Sequence, residues 1–63
     1  MRYSMSMLGS QIEEQLRIFQ EEDAKFEAGN ASAGTRARKA LMEIKRLCDA
    51  RRKEIQETKN KAA

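Results

Sequence analysis

The residues of this sequence most able to do chemistry are its lysines and arginines, which number 13 against 10 acidic residues. Seven of them fall into two sets with a spacing of seven residues, after which a helix returns to nearly the same face. The first set is Arg38, Lys45, Arg52 and Lys59, and the second is Lys39, Arg46 and Lys53. Because seven residues rise about 10.5 Å in a helix, the sets form a cationic ridge long enough to follow the phosphates of a duplex backbone.

A second interpretation of the ridge is a solvated charged face of an ordinary long helix. Glu13, Gln20 and Glu27 also repeat by seven. Antiparallel packing of their helix brings this flank toward Arg38 and Lys45, so that salt bridges within the protein neutralise part of the ridge. From spacing alone the two interpretations carry equal weight.

The distribution of charge along the chain is uneven. Residues 1–30 carry a net charge of −3, whereas residues 31–63 carry +6. This asymmetry indicates either pairing between the two halves or a polyanionic partner.

Other kinds of site are hard to assemble from these residues. The sequence has no histidine and a single cysteine, Cys48, which leaves neither an ordinary zinc site nor an intramolecular disulfide. Ser32 and Thr35 lack a histidine base and fit better as helix-start residues than as nucleophiles. We therefore expect no enzymatic activity, no cofactor and no metal, and we interpret Cys48 as a small core residue.

The length bounds the fold. A chain of 63 residues, 37% of them charged, makes one domain at most and buries only about 60% of the surface that it exposes when unfolded. Without disulfides or metals, oligomerisation is the remaining route to a stable core. No segment has the apolar length of a signal-peptide core or a membrane span, so we expect a cytoplasmic protein with no membrane contact.

Two helices account for nearly the whole chain, because Gly29 and Asn30 form the only strong break. Helix 1 is predicted at about residues 10–28 from the capping box Ser10 to Glu13, with a start at Ser4 as the alternative. Helix 2 is predicted at about residues 31–59, and Gly34 leaves a later start, at Thr35, open.

Apolar residues in both helices form seams with alternating steps of three and four. The helix 2 seam is wider than a two-stranded coil requires and suits a bundle of more than two helices. Folding the chain at Gly29 makes the numbers of facing residues sum to about 60, so that Phe26 faces Gly34 and Phe19 faces Leu41. The predicted core and dimer residues are Ile12, Leu16, Phe19, Phe26, Leu41, Ile44, Leu47, Cys48 and Ile55. The predicted fold is all-α, an antiparallel two-helix hairpin that dimerises into a four-helix bundle.

The run Gly-Asn-x-x-Ala-Gly-Thr-Arg-x-Arg-Lys at residues 29–39, followed by an amphipathic helix rich in leucine, isoleucine and lysine, resembles a known family. It is similar to the N-terminal domain of the bacterial linker-histone-like proteins typified by the chlamydial nucleoid histones. The resemblance covers residues 19–60 and implies a small α-helical protein that associates with DNA. By matching position it implies that Arg36, Arg38 and Lys39 contribute to DNA contact.

Together these observations predict a histone-like nucleoid protein that binds double-stranded DNA through phosphates, with little sequence preference. The predicted DNA-binding residues are Arg36, Arg38, Lys39, Lys45, Arg46, Arg52, Lys53 and Lys59. The roles of Arg51 and Cys48 stay open, with a redox role as the alternative for the cysteine. The choice between DNA and RNA, the size of the oligomer, and whether binding bends, bridges or coats the duplex stay open as well. The alternative function is a structural helical module for oligomerisation or protein interaction. Neither function involves a small-molecule substrate.

Overall fold

The computed structural model describes the backbone of residues 7–62 and the side chains of residues 7–61. Helix α1 spans Met7–Glu27 and helix α2 spans Ala31–Ala62, with no strand in the described range. The all-α prediction is confirmed. Helix α1 already includes Ser10 and Glu13, so these residues lie inside the helix and do not cap it. Ser4, the alternative start, lies outside the described residues.

The end of α1 is closed by backbone hydrogen bonds around Gly29. Gly29 has a φ of 109°, a left-handed conformation that a residue with a Cβ atom rarely adopts. Its N–H donates to the carbonyl of Phe26 at 2.9 Å, and the N–H of Asn30 donates to the carbonyl of Lys25 at 3.0 Å. This pair of bonds is the Schellman motif, which satisfies carbonyls that the end of a helix leaves unpaired.

Asn30 starts α2 directly after that turn. Its side-chain Oδ1 accepts a hydrogen bond from the N–H of Ala33 at 3.2 Å and another from the Ser32 hydroxyl at 2.9 Å. An N-cap residue acts in this way on the third helical N–H. The helix therefore begins at Ala31, ahead of Thr35, and the connection between the helices is only three residues long.

The contact between the helices is made largely by alanines. Ala33, Ala37 and Ala40 of α2 are buried, and Leu47 is the one large side chain that is fully enclosed among the described residues. These positions share one helical face, and their small side chains allow the two backbones to approach closely. Near the turn the predicted register is confirmed, because a Cβ atom at Gly34 would lie 2.7 Å from Cδ1 of Phe26.

The helix pair forms a single layer, with extents of 50 × 23 × 12 Å. Several of the predicted core residues therefore keep much of their surface open within one chain: Leu16, Phe26, Leu41 and Ile55 are 45–48% exposed. Cys48 is exposed as well, whereas Ile12, Phe19 and Ile44 are half-buried. One chain thus buries only part of the seam that its sequence encodes.

Replacing Gly34 with leucine tests the close approach of the helices. The new side chain must displace the Phe26 ring, so Gly34→Leu is expected to destabilise the protein by about 1–3 kcal/mol despite the higher helix propensity of leucine. Thr35→Leu, at the neighbouring exposed position, is the matched control and is expected to stay within about 0.5 kcal/mol of wild type. Thermal unfolding followed by circular dichroism measures both. A higher melting temperature for Gly34→Leu would contradict the observed register.

Candidate nucleic-acid interface

The cationic ridge lies on the exposed side of α2, and its first members, Arg38 and Lys39, also border the grooves between α2 and α1. The buried residues Ala33, Ala37, Ala40 and Leu47 define the side that packs on α1. With 100° between successive residues, the two seven-residue sets fall on either side of the opposite direction. All eight predicted DNA-binding residues are exposed: Arg36, Arg38, Lys39, Lys45, Arg46, Arg52, Lys53 and Lys59.

Arg36 differs from the rest, because it bonds across the helix pair. Its Nε donates to Oε1 of Glu22 on α1 at 2.8 Å. The Glu22 side chain is only 13% exposed and also has Lys25 Nζ at 3.7 Å. Arg36 therefore joins α1 to α2 and is already occupied by a carboxylate.

Two members of the ridge are paired within α2. Arg46 bonds Glu43 one turn before it, and Arg52 has a longer contact with Asp49 at 3.7 Å. Exposed pairs at this spacing stabilise a helix only slightly, so a phosphate can displace the carboxylate at little cost.

The other five predicted contacts are not neutralised by the described part of the chain. Within residues 7–61 no carboxylate lies within 4.0 Å of Arg38, Lys39, Lys45, Lys53 or Lys59. The expectation that the flank with Glu13 and Glu27 pairs with Arg38 and Lys45 is wrong, since the pair that crosses between the described helices is Glu22 with Arg36. Glu22 lies on the opposite flank of α1, and both glutamates of the expected flank are exposed.

Hydrogen bonding keeps the paired glutamates ionised. The Arg36 hydrogen bond holds the pKa of Glu22 below its ordinary value of 4.5, more than offsetting the partial burial that raises it. The Arg46 hydrogen bond lowers the pKa of Glu43 in the same way. On α1, Arg17 bonds both Glu14, at 2.5 Å, and Glu21, at 2.7 Å, and it lowers the pKa of Glu14.

The two helices carry opposite net charges. Helix α1 has 2 basic and 6 acidic residues, a net charge of −4, whereas α2 has 10 basic and 4 acidic residues, a net charge of +6. The positive potential is therefore concentrated on α2, on the side that faces away from the acidic helix.

One concave surface of the described residues lies between the two helices. A groove of about 410 Å³ between the helices is lined mainly by apolar side chains, with Asp23 and Arg38 among them. No cluster of three histidine, cysteine or acidic side chains within the described residues is placed to hold a metal ion. None of the described helices is long and apolar enough to cross a membrane.

Comparison with known families shows which family the chain belongs to. Residues 7–61 match the family model described as histone H1-like protein Hc1. The chain belongs to this family. The match covers α1, all of α2 except its last residue, and every predicted DNA-binding residue. The resemblance inferred from residues 29–39 is confirmed. No curated protein and no solved structure matches the histone H1-like chain.

Sequence analysis missed two features of the histone H1-like hairpin. The first is the Glu22–Arg36 bond. The residue numbers 22 and 36 sum to 58, close to the sum of about 60 that facing residues are predicted to have. The second is Met42, which is 69% exposed in the middle of the ridge. Met42 is four residues from Arg38 and three from Lys45, and this spacing predicts that it lies beside both of them on the helix surface.

The Glu22–Arg36 bond predicts an acid-sensitive contribution to stability. The pKa of Glu22 is lower in the folded chain than in the unfolded chain, so the stabilisation is complete above pH 4.5 and is lost as the pH falls through the folded-state value. Glu22→Gln is therefore expected to melt below wild type at pH 7, and the difference should shrink toward pH 3.

Glu57→Gln is the matched control, because Glu57 has no ion pair within the described residues. It should melt with the wild type at both pH values. A gap between Glu22→Gln and wild type that stays constant from pH 7 to pH 3 would show that Glu22 acts without its charge.

Proposed function

We propose that this chain is a histone-like nucleoid-associated protein of the cytoplasm that binds duplex DNA through phosphate contacts, with little sequence preference. The single observation that carries the proposal is the set of exposed, unneutralised cations on the outer face of α2: Arg38, Lys39, Lys45, Lys53 and Lys59. The description of its family as histone H1-like supports the same partner.

The spacing of the cations suits a polyphosphate. Duplex DNA carries one negative charge per about 1.7 Å of its axis, so a cation placed every 10.5 Å along a helix always has a phosphate nearby. Flexible lysines tolerate different positions of that phosphate, which favours binding without sequence preference. Arg46 and Arg52 join the surface by exchanging a helix carboxylate for a phosphate. Arg36 contributes less to binding, because it is held by Glu22 between the helices.

We also propose that the binding form is a dimer. One layer of two helices leaves the apolar side chains of Leu16, Phe26, Leu41 and Ile55 about half exposed, and helical domains bury such a face against a second layer. The two helices lie side by side over about 30 Å, the length of α1, in a layer 23 Å wide, so the outline of the shared face is close to the roughly 800 Å² per partner that a standard interface buries. The occupant that fits is a second copy, forming a four-helix bundle.

Charge selects one arrangement of that dimer. Placing the acidic α1 over the basic α2 of the partner is favourable, whereas placing like helices over each other is not. A two-fold axis that pairs unlike helices runs parallel to them and brings both turns to the same end of the bundle. An axis that pairs like helices puts the two turns at opposite ends.

A spin label at the turn tests the dimer. Ala28 is exposed, so Ala28→Cys in a Cys48→Ser background carries one label per chain. The expected distance between labels in the dimer is about 10–25 Å, set by helix separations of 8–10 Å and the length of the label. Turns at opposite ends would give more than about 30 Å, the length of α1. That distance, or a stably folded monomer at micromolar concentration by sedimentation, would contradict the proposed dimer.

Electrophoretic shifts at several salt concentrations test the DNA contact. The logarithm of affinity should fall with the logarithm of salt at about −0.9 per phosphate contacted, with roughly four to six contacts per dimer. Lys39→Gln with Lys53→Gln should make the slope shallower by about 0.9 for each phosphate contact that these lysines supply to the bound duplex. Reversing Arg38, Lys39, Arg46 and Lys53 together to glutamate should abolish binding while the helical circular dichroism persists.

The matched control removes the same charge from the other helix. Arg17→Gln with Lys25→Gln, both on α1, should leave the salt slope unchanged. Equal losses of slope in both double variants would show that net charge alone drives binding. If the wild-type protein does not shift duplex DNA even at low salt, the nucleoid function fails and a protein-interaction module becomes the better account.

A further inference from the structure

Met42 is an exposed apolar side chain at the centre of the cationic face. Its neighbours on the helix surface, three and four residues away in each direction, are all basic: Arg38, Lys39, Lys45 and Arg46. Residues at these spacings surround a helical position, and Met42 is 69% exposed among them. It makes no contribution to the core of one chain, and it lies on a different side of α2 from Leu41 and Ile55, which the proposed dimer covers.

The strip that contains Met42 separates the two sets of cations. Thr35, Met42, Asp49 and Gln56 repeat by seven along the middle of the face. The set with Arg38 runs along one side of this strip and the set with Lys39 along the other. The face is therefore a central line of largely uncharged side chains between two cationic borders, in which Asp49 has Arg52 at 3.7 Å.

The dimensions of this face match one groove of duplex DNA. A helix with its side chains is about 10–12 Å across, and the major groove is about 12 Å wide with a phosphate backbone along each side. The minor groove, at about 6 Å, does not admit a helix. A helix in the major groove turns its outermost strip toward the base edges and its flanks toward the two backbones.

We propose that α2 docks along the major groove of duplex DNA, with Met42 against the base edges. Arg38 and Lys45 then contact the phosphates of one strand, and Lys39 and Arg46 those of the other. This inference rests on the DNA binding proposed above and adds which groove is occupied and which residue contacts the bases. Met42 supplies an apolar contact to the base edges, and it makes no hydrogen bond that would require a particular base.

The contact is tested first by removing the methionine side chain. Met42→Ala should weaken binding to duplex DNA by about three- to tenfold, through the loss of apolar contact. The salt slope should stay unchanged, because no phosphate contact is lost. Met7→Ala is the matched control, since Met7 is 76% exposed on α1, and its affinity should equal that of wild type. Equal affinities of Met42→Ala and wild type would overturn the assigned role of Met42.

The groove is tested with modified duplexes and unaltered protein. A duplex in which every cytosine carries a glucosylated 5-hydroxymethyl group has its major groove blocked, and wild-type affinity for it should fall at least tenfold. The same duplex without the modification, saturated with the minor-groove ligand netropsin, should bind as well as free duplex. Equal binding to the glucosylated duplex, or displacement by netropsin, would overturn docking in the major groove.

These outcomes separate the inference from the proposed function. Binding that is salt-dependent but insensitive to glucosylation leaves the phosphate contacts intact and overturns only the groove and the role of Met42. An absence of binding to any duplex overturns both.

Discussion

The constraint on which the rest of this structure depends is that two helices form only one layer. A single layer has one internal seam and two open faces, and the seam here is lined by Ala33, Ala37 and Ala40 and closed further along by Leu47. Alanines bring the helices together but bury little apolar area. The larger apolar residues therefore lie toward an open face, and the stability of the chain becomes coupled to whatever covers that face.

The single layer of two helices also determines where charged residues can lie. Because α2 packs on α1 with one side only, its outer surface is free to carry cations at both flanks of the exposed direction. The acidic residues are concentrated on α1, and one of them, Glu22, reaches across to Arg36. The bond joins the helices without neutralising the outer cations, so cohesion of the hairpin and its positive surface use different residues.

The sequence predicts the turn and the register because both depend on local chemistry. Only Gly29 readily adopts the positive φ at the end of α1, and Asn30 supplies the oxygen that starts α2. Once the turn is fixed, the facing of Phe26 and Gly34 follows from counting residues. The cationic ridge is predicted equally well, since a repeat of seven on a long helix places residues together whatever packs against it.

Other features depend on geometry that a repeat does not contain. Ser10 and Glu13 fit a capping box, but α1 already includes Met7, Leu8 and Gly9, so the cap motif is overridden despite the low helix propensity of glycine. The heptad pattern identifies the apolar positions of α2 but does not say which of them α1 covers. In the structure Leu47 is enclosed, whereas Leu41, at a neighbouring position of the pattern, is half exposed. The choice of Glu22 over Glu13 or Glu27 as the partner of an arginine likewise depends on the rotation of α1 about its own axis.

The three buried alanines, Ala33, Ala37 and Ala40, lie much closer to the turn than to the distal end of α2. They lie within ten residues of the turn, whereas α2 continues to Ala62, so a small change in helix separation near the turn is multiplied along the roughly 30 Å that follow. An added methyl group at Ala33 or Ala37, both of which are buried, would therefore separate the helices more at their distal ends than at the turn. Three small side chains near the turn, together with Leu47 further along, thus set how closely the two helices run beside each other.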